Sequence, residues 1–138
     1  MLMKIEKILS RNDLGLTGTH QAGILVPKQE EFLSFFPSLN PLGNNPRVKL
    51  RMESQDGSFW DFNYIYYNNK LRGGTRNEYR LTGMTRYLKT NNLKPNDILI
   101  IEEINGDYFI SYKRGTDSTV TSAEGKTIIK LNSWTFIG

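Results

Sequence analysis

Turn-forming residues cut this chain into short segments patterned for strands, and only two stretches carry the signals of a helix. That constrains the fold more than any other feature, because strands this short bury an apolar face only by pairing with several others. Residues 1–9 mix Leu2, Ile5 and Ile8 with charges. Residues 47–52 alternate Arg47, Lys49 and Arg51 with Val48, Leu50 and Met52, the mark of a half-buried strand. Gln55, Asp56, Gly57 and Ser58 then make a hairpin turn, and the aromatic run 59–67 is the partner strand. Alternation resumes over residues 76–82. Residues 98–104 and 108–112 flank Asn105, Gly106 and Asp107, and an Asn-Gly pair readily adopts the positive φ a tight hairpin needs. Residues 127–131 supply a last strand, with Trp134 and Phe136 closing the end.

The first helix signal is Pro27, Lys28, Gln29, Glu30 and Glu31, which sets acidic residues in a first turn ahead of Phe32, Leu33, Phe35 and Phe36. Pro37 ends it. The second lies in residues 83–92, with Met84, Tyr87 and Leu88 on one face and Pro95, Asn96 and Asp97 as the breaker. The expected fold is mainly β with two short helices, a small barrel or open pseudobarrel of about seven strands. At 138 residues a single domain, 1–138, buries roughly two-thirds of its unfolded surface, and neither linker nor repeat divides it.

Composition removes much chemistry. Without Cys there is no disulfide, thiolate metal site or Cys nucleophile, and the single His, His20, cannot build a site that needs two imidazoles. His20 sits in a polar, Gly-rich stretch rather than the strand-to-helix elbow that presents a nucleophile. The glycines form neither a P-loop nor a dinucleotide fingerprint. Neither cofactor nor metal is therefore expected, nor a catalytic residue. One bare E-x-K, Glu124 to Lys126, leaves a small metal-dependent nuclease as an alternative, although it falls in a turn-rich segment. No stretch approaches the roughly 18 apolar residues of a membrane span, and Lys4, Glu6 and Lys7 interrupt what a signal peptide would keep apolar. The expectation is a soluble intracellular protein with no membrane partner.

Net charge is +4, unevenly spread. Residues 66–94 hold seven cations, Lys70, Arg72, Arg76, Arg80, Arg86, Lys89 and Lys94, against one anion, Glu78, while the rest of the chain has more anions than cations. A positive segment on a nearly neutral body is what a polyanion binder shows. Two stretches, residues 12–27 and 70–83, are too polar to be core and bracket the first hairpin, so a barrel would present both from one rim. Strand alternation puts Arg76, Glu78 and Arg80 on one face and Asn77, Tyr79 and Leu81 on the other. Arg donates two bonds to guanine O6 and N7, and a carboxylate accepts from cytosine N4 but is repelled by phosphate, so this face suits base edges. An exposed strand whose charges pair with their neighbours accounts for the same residues. Asn12, Thr17, Thr19, His20 and Gln21 are short donors and acceptors suited to phosphate and base contacts.

TGTHQAGILVP (17–27) together with GGTRNEYRLTG (73–83) resembles the N-terminal effector domain of EcoRII-type restriction endonucleases. The resemblance implies a B3-like DNA-binding pseudobarrel whose N-arm and C-arm enter the major groove of double-stranded DNA from two sides. It implies an N-arm at residues 12–21 and a C-arm from about residue 70 to residue 80. His20, Arg76, Glu78 and Arg80 carry over by matching motif positions, and Lys70, Arg72 and Tyr79 by neighbourhood; Asn77, between them, is counted with the DNA-contacting residues. Leu25 and Tyr79 depart from the family's pattern, so the recognised bases stay open around a CC(A/T)GG-like site. It further implies a prokaryotic cytoplasmic setting and a parent enzyme with a C-terminal nuclease domain, from which this chain is an excised or naturally detached module. A stand-alone B3-like transcription regulator is the alternative within the binding class. An RNA-binding barrel is less favoured, because no RNP-like stacking pair is present.

Overall fold

The computed structural model describes residues 2–18, 22–115 and 126–138. Nine strands form one sheet: β1 (Leu2–Ile8), β2 (Gly23–Val26), β3 (Arg47–Ser54), β4 (Phe59–Tyr67), β5 (Glu78–Thr82), β6 (Ile98–Ile104), β7 (Asp107–Lys113), β8 (Ile128–Leu131) and β9 (Trp134–Ile137). Two short helices, α1 (Glu30–Phe35) and α2 (Thr85–Thr90), pack against it. The strand order is β2-β5-β4-β3-β7-β6-β1-β9-β8. All pairings are antiparallel except β3 with β7, which join in parallel through Met52 to Ser54. Two strands exceed the seven expected. β2 was hidden because its four residues follow a Gly-rich stretch and run straight into Pro27, and β9 because Trp134 and Phe136 gave too short an alternation to stand alone.

The hairpins form where their turn chemistry allows. Asn105 and Gly106 adopt φ of 52° and 91°, which lets β6 turn directly into β7. Asp56 holds the β3–β4 turn by accepting from the Ser58 amide at 3.0 Å and from the Ser54 and Ser58 hydroxyls. Alternate residues of every central strand then point inward. Ile5, Met52, Phe62, Tyr64, Leu81, Leu99 and Ile110 are essentially inaccessible. α1 supplies Phe32, which meets Trp134 and Phe136 edge-on with centroids at 5.6 and 6.1 Å. α2 supplies Tyr87, edge-on to Trp60 and Phe62 at 5.2 and 5.8 Å. Aromatic pairs at such angles add to plain area burial. The sheet stays open between its outermost strands. A cleft of about 570 Å³ separates Leu25 to Lys28 from Leu131 to Trp134.

One polar group fastens the β6 entrance. Asp97 accepts from the Lys94 and Gly115 amides at 2.8 and 3.0 Å and from Arg114 Nη1 at 3.1 Å. Burial pushes its carboxyl upward, but the two amides and the guanidinium outweigh that and hold it below its ordinary value of 3.8. Because the folded pKa is depressed, the stability it contributes is present above the unfolded value and is lost as pH falls through the folded one. Asp97→Asn should therefore melt lower than the parent at neutral pH, with the gap narrowing as pH falls below the ordinary value of 3.8. A gap that widened in acid would contradict this assignment.

Candidate nucleic-acid interface

The outer face of β5 and β4 carries the predicted row. Cross-strand register sets Glu78 opposite Tyr67, Arg80 opposite Ile65 and Thr82 opposite Asn63. Arg76 donates through Nη2 and Nε to Glu78 Oε1 at 2.7 and 3.1 Å, and its guanidinium lies 3.7 Å from the Tyr67 ring centroid. Arg80 Nη1 lies 3.7 Å from Glu78 Oε2. A single carboxylate thus aligns two guanidiniums on one surface. The charges pair along the strand, as the second reading of this segment required, and in doing so they fix the direction in which each guanidinium presents its free edges.

Asn77 and Tyr79 face the other way. Tyr66 donates to Asn77 Oδ1 at 2.7 Å, and Tyr79 stacks on Tyr66 at 4.2 Å with rings 7° apart and on Tyr64 at 5.9 Å. Burial and then the neighbouring Tyr66 push the Tyr79 hydroxyl above its ordinary pKa. Tyr79 packs against the core from this side, while Asn77, just before β5, stays exposed and is held by Tyr66.

The C-arm is organised by two asparagines. Asn68 is fully buried. Its amide nitrogen donates to the carbonyls of Pro41 and Gly43 at 3.0 and 2.6 Å, and its oxygen accepts from the Asn45 amide at 2.9 Å. Asn69 accepts from the Arg76 amide at 2.7 Å, while the Lys70 amide donates to the Arg76 carbonyl at 2.9 Å, closing the neck of the arm. Between them, residues Asn69–Arg72 form a 3-10 turn that ends at Gly73 with φ 87°. A Cβ on Gly74 would come within 2.7 Å of Asn69 Cγ, so a larger residue there would push the Asn69 side chain off the Arg76 amide. Arg72 reaches back to the carbonyls of Leu42 and Gly43 at 2.8 and 3.4 Å, pinning the 40–45 loop to the arm. Lys70 is exposed beside it.

The N-arm is rooted by a buried ion pair. Lys7 Nζ lies 2.8 Å from Asp13 Oδ2, with side-chain exposures of 9% and 8%. Asp13 also accepts from the Ser10 amide at 2.9 Å, and its own amide donates to Ser10 Oγ at 3.1 Å. Its carbonyl accepts from Gly23, so the arm returns to the sheet beside Thr82. Within the arm, Thr17 donates to Asn12 Oδ1 at 3.0 Å. Thr19, His20 and Gln21 lie outside the described residues.

Arg47, Arg76, Glu78, Arg80, Thr82 and Ala22 line one open cleft of about 600 Å³, which brings the returning N-arm, β5 and β3 together. Arg47 and Lys49 are the residues sequence reasoning left out. Their alternation in β3 was legible, but the register that sets β3 two strands from β5 was not. The seven-cation segment does not form one patch. Arg86 sits on α2, 5.7 Å from the Trp60 ring, apart from the cleft that holds Arg76 and Arg80. The reason is that Gly83, at φ 75°, turns the chain from β5 into α2. Of the E-x-K alternative, Glu124 lies outside the described residues and Lys126 is exposed just before β8. Among the described residues no three His, Cys, Asp or Glu side chains cluster in a way that would hold a metal ion. No described helix is long and apolar enough to cross a membrane.

A family model described as Restriction endonuclease EcoRII, N-terminal matches residues 2–98. The Type II restriction enzyme EcoRII of Escherichia coli is 42% identical over 79 residues, covering 55% of this chain and 19% of that protein. The AP2/ERF and B3 domain-containing transcription repressor TEM1 of Arabidopsis thaliana is 27% identical over 136 residues, covering 91% of this chain and 33% of that protein. The chain therefore spans a third or less of these curated relatives. Among solved structures, an Arabidopsis FUS3-DNA complex aligns with TM-score 0.61 at 20% identity, over 80% of this chain and 96% of that one. The Arabidopsis thaliana LEC2-DNA complex aligns with TM-score 0.59 at 22% identity, over 81% and 94%. The fold is the B3-like pseudobarrel.

Proposed function

The chain belongs to the EcoRII restriction endonuclease N-terminal family, and from that premise we propose that it binds double-stranded DNA sequence-specifically through the major groove. In this reading it is the recognition module of a longer restriction endonuclease, whose cleavage domain is a partner in the same parent protein. It reads DNA and does not cut it. The observation that carries the reading is the Arg76–Glu78–Arg80 row, in which one acid aligns two guanidiniums on an outer strand face beside two hydrogen-bonded arms. A surface built only to attract phosphate would gain nothing from an acid at its centre, whereas a surface that meets guanine and cytosine edges uses both signs. His20, Thr17, Asn12, Thr19 and Gln21 would then contact DNA from the N-arm, and Lys70 and Arg72 from the C-arm, with phosphate positioning and base reading divided between them.

The test is selection of bound duplexes from a random pool, followed by titration of the selected duplex at increasing salt. A defined site should emerge. Affinity should fall with a log–log salt slope of several units, because each neutralised phosphate releases about 0.9 counterion. Binding should survive EDTA, and no cleavage should occur with Mg²⁺ or Mn²⁺. Cleavage abolished by Glu124→Ala would instead support the nuclease alternative.

A further inference from the structure

Resting on the DNA-binding reading above, we propose that Arg47 and Lys49 on β3 form a phosphate seat that holds the backbone of the bound duplex on one side of the reading strand. The register carries the placement. Arg47 lies opposite Ile65, which lies opposite Arg80, and Lys49 lies opposite Asn63, which lies opposite Thr82. With strands roughly 4.8 Å apart, the two β3 cations stand about 10 Å to the side of the reading row and roughly 7 Å from each other along β3. Both are exposed.

Their surroundings separate them from the base-reading pair. Arg76 and Arg80 are held by Glu78, which limits the angles their guanidiniums adopt and repels phosphate. Neither Arg47 nor Lys49 has an ion-pair partner among the described residues, and the one hydrogen bond of Arg47 is a long one, 3.4 Å, to the Asn45 carbonyl. A lysine on a flexible stem, without a fixed fork, suits a point charge rather than a base edge. The next outward cation on the same strand, Arg51, differs. It is paired with Asp61 at 3.3 Å and stacked 5.4 Å from the Phe59 ring, so its charge is already met. Across β5 on the other side, the outward positions of β2 are Gly23 and Leu25, which carry no charge. The seat is therefore one-sided, two cations long, and bounded by a neutralised third.

The full chain would be titrated with two duplexes of equal length, the selected one and a scrambled one, over a range of salt. For Arg47→Gln/Lys49→Gln the log–log slope should fall by about two units on both duplexes, with the ratio between them unchanged. Arg51→Gln should keep the parental slope. Melting temperatures, unaffected for such exposed side chains, keep a folding defect from mimicking the result. If the parent discriminates between the duplexes with a steep slope and the double variant keeps that slope, the seat is wrong while the DNA-binding reading stands. A fall confined to the selected duplex, or an equal fall in Arg51→Gln, overturns the seat as well. A parent that binds neither duplex overturns both.

Discussion

Asp13→Ala is expected to lower folding stability by about 3–5 kcal/mol, since it leaves the Lys7 ammonium buried without its countercharge. Among the described residues Lys7 would keep only the Ile8 carbonyl at 2.8 Å and the Trp134 ring at 5.9 Å. The Ser10 amide would lose its acceptor too, at the point where β1 gives way to the N-arm. In a domain of this size the melting temperature should drop by on the order of 10–20 °C. Arg51→Ala gives the contrast: its pair with Asp61 is 67% and 43% exposed, and such a pair is worth less than about 1 kcal/mol. The double variant Lys7→Met/Asp13→Leu should recover most of the loss, because it removes both charges rather than one. Equilibrium unfolding in urea checks all three. A loss below about 1 kcal/mol for Asp13→Ala would mean that water reaches Lys7 in the folded protein.

The second large effect is on recognition. Arg80 is the less exposed of the two aligned arginines, at 15% against 45% for Arg76, and stands between Ile65 and Leu25 in the cross-strand row. A guanidinium already hemmed in by its neighbours loses less freedom on meeting a guanine than an exposed one, so Arg80→Ala should cost about 1–3 kcal/mol, ten-fold or more, on the selected duplex and far less on a scrambled one. Glu78 decides between mechanisms by sign. If the row only attracts phosphate, Glu78→Gln removes a repelling charge and tightens binding to every duplex. If the row reads bases, the same change frees both guanidiniums and leaves a cytosine amino group without its carboxylate, so binding to the selected duplex weakens. Side-by-side titrations at one salt concentration separate the two outcomes, and tighter binding to both duplexes would remove base reading from this strand.

How far the sequence could be read depended on distance along the chain. The Asn105-Gly106 hairpin, the faces of α2 and the shared face of Glu78 and Arg80 follow from neighbouring residues and stand as expected, whereas Arg76, expected in the same strand, lies two residues before β5 and joins the row through its pair with Glu78. The N-arm root does not, because nothing local in Lys7 announces that its ammonium turns inward to Asp13. Asn68 reads as an ordinary turn residue in sequence, yet it is completely buried and holds a loop more than twenty residues earlier. Positions such as Lys49 were visible as strand residues, but their membership of a face depends on which strands become neighbours. Alternation set Tyr79 on the face opposite Glu78 and Arg80 and it is there, while its stack with Tyr66 needed the pairing of β4 with β5.

The parallel join between β3 and β7 divides the sheet into two antiparallel sets that the ribosome finishes at different times. β2, β3, β4 and β5 all come from residues 23–82, so their hydrogen-bonding partners emerge together. β1 emerges first and pairs with β6 and β9, which emerge far later, Leu2 finding Ile104 and Lys4 finding Ile137. At ordinary elongation rates the opening strand waits on the order of ten seconds with both edges bare. Such long-range pairing is slow to form and open to capture by neighbouring chains. A fragment ending at residue 98, where the family match stops and β6 begins, would make the wait permanent.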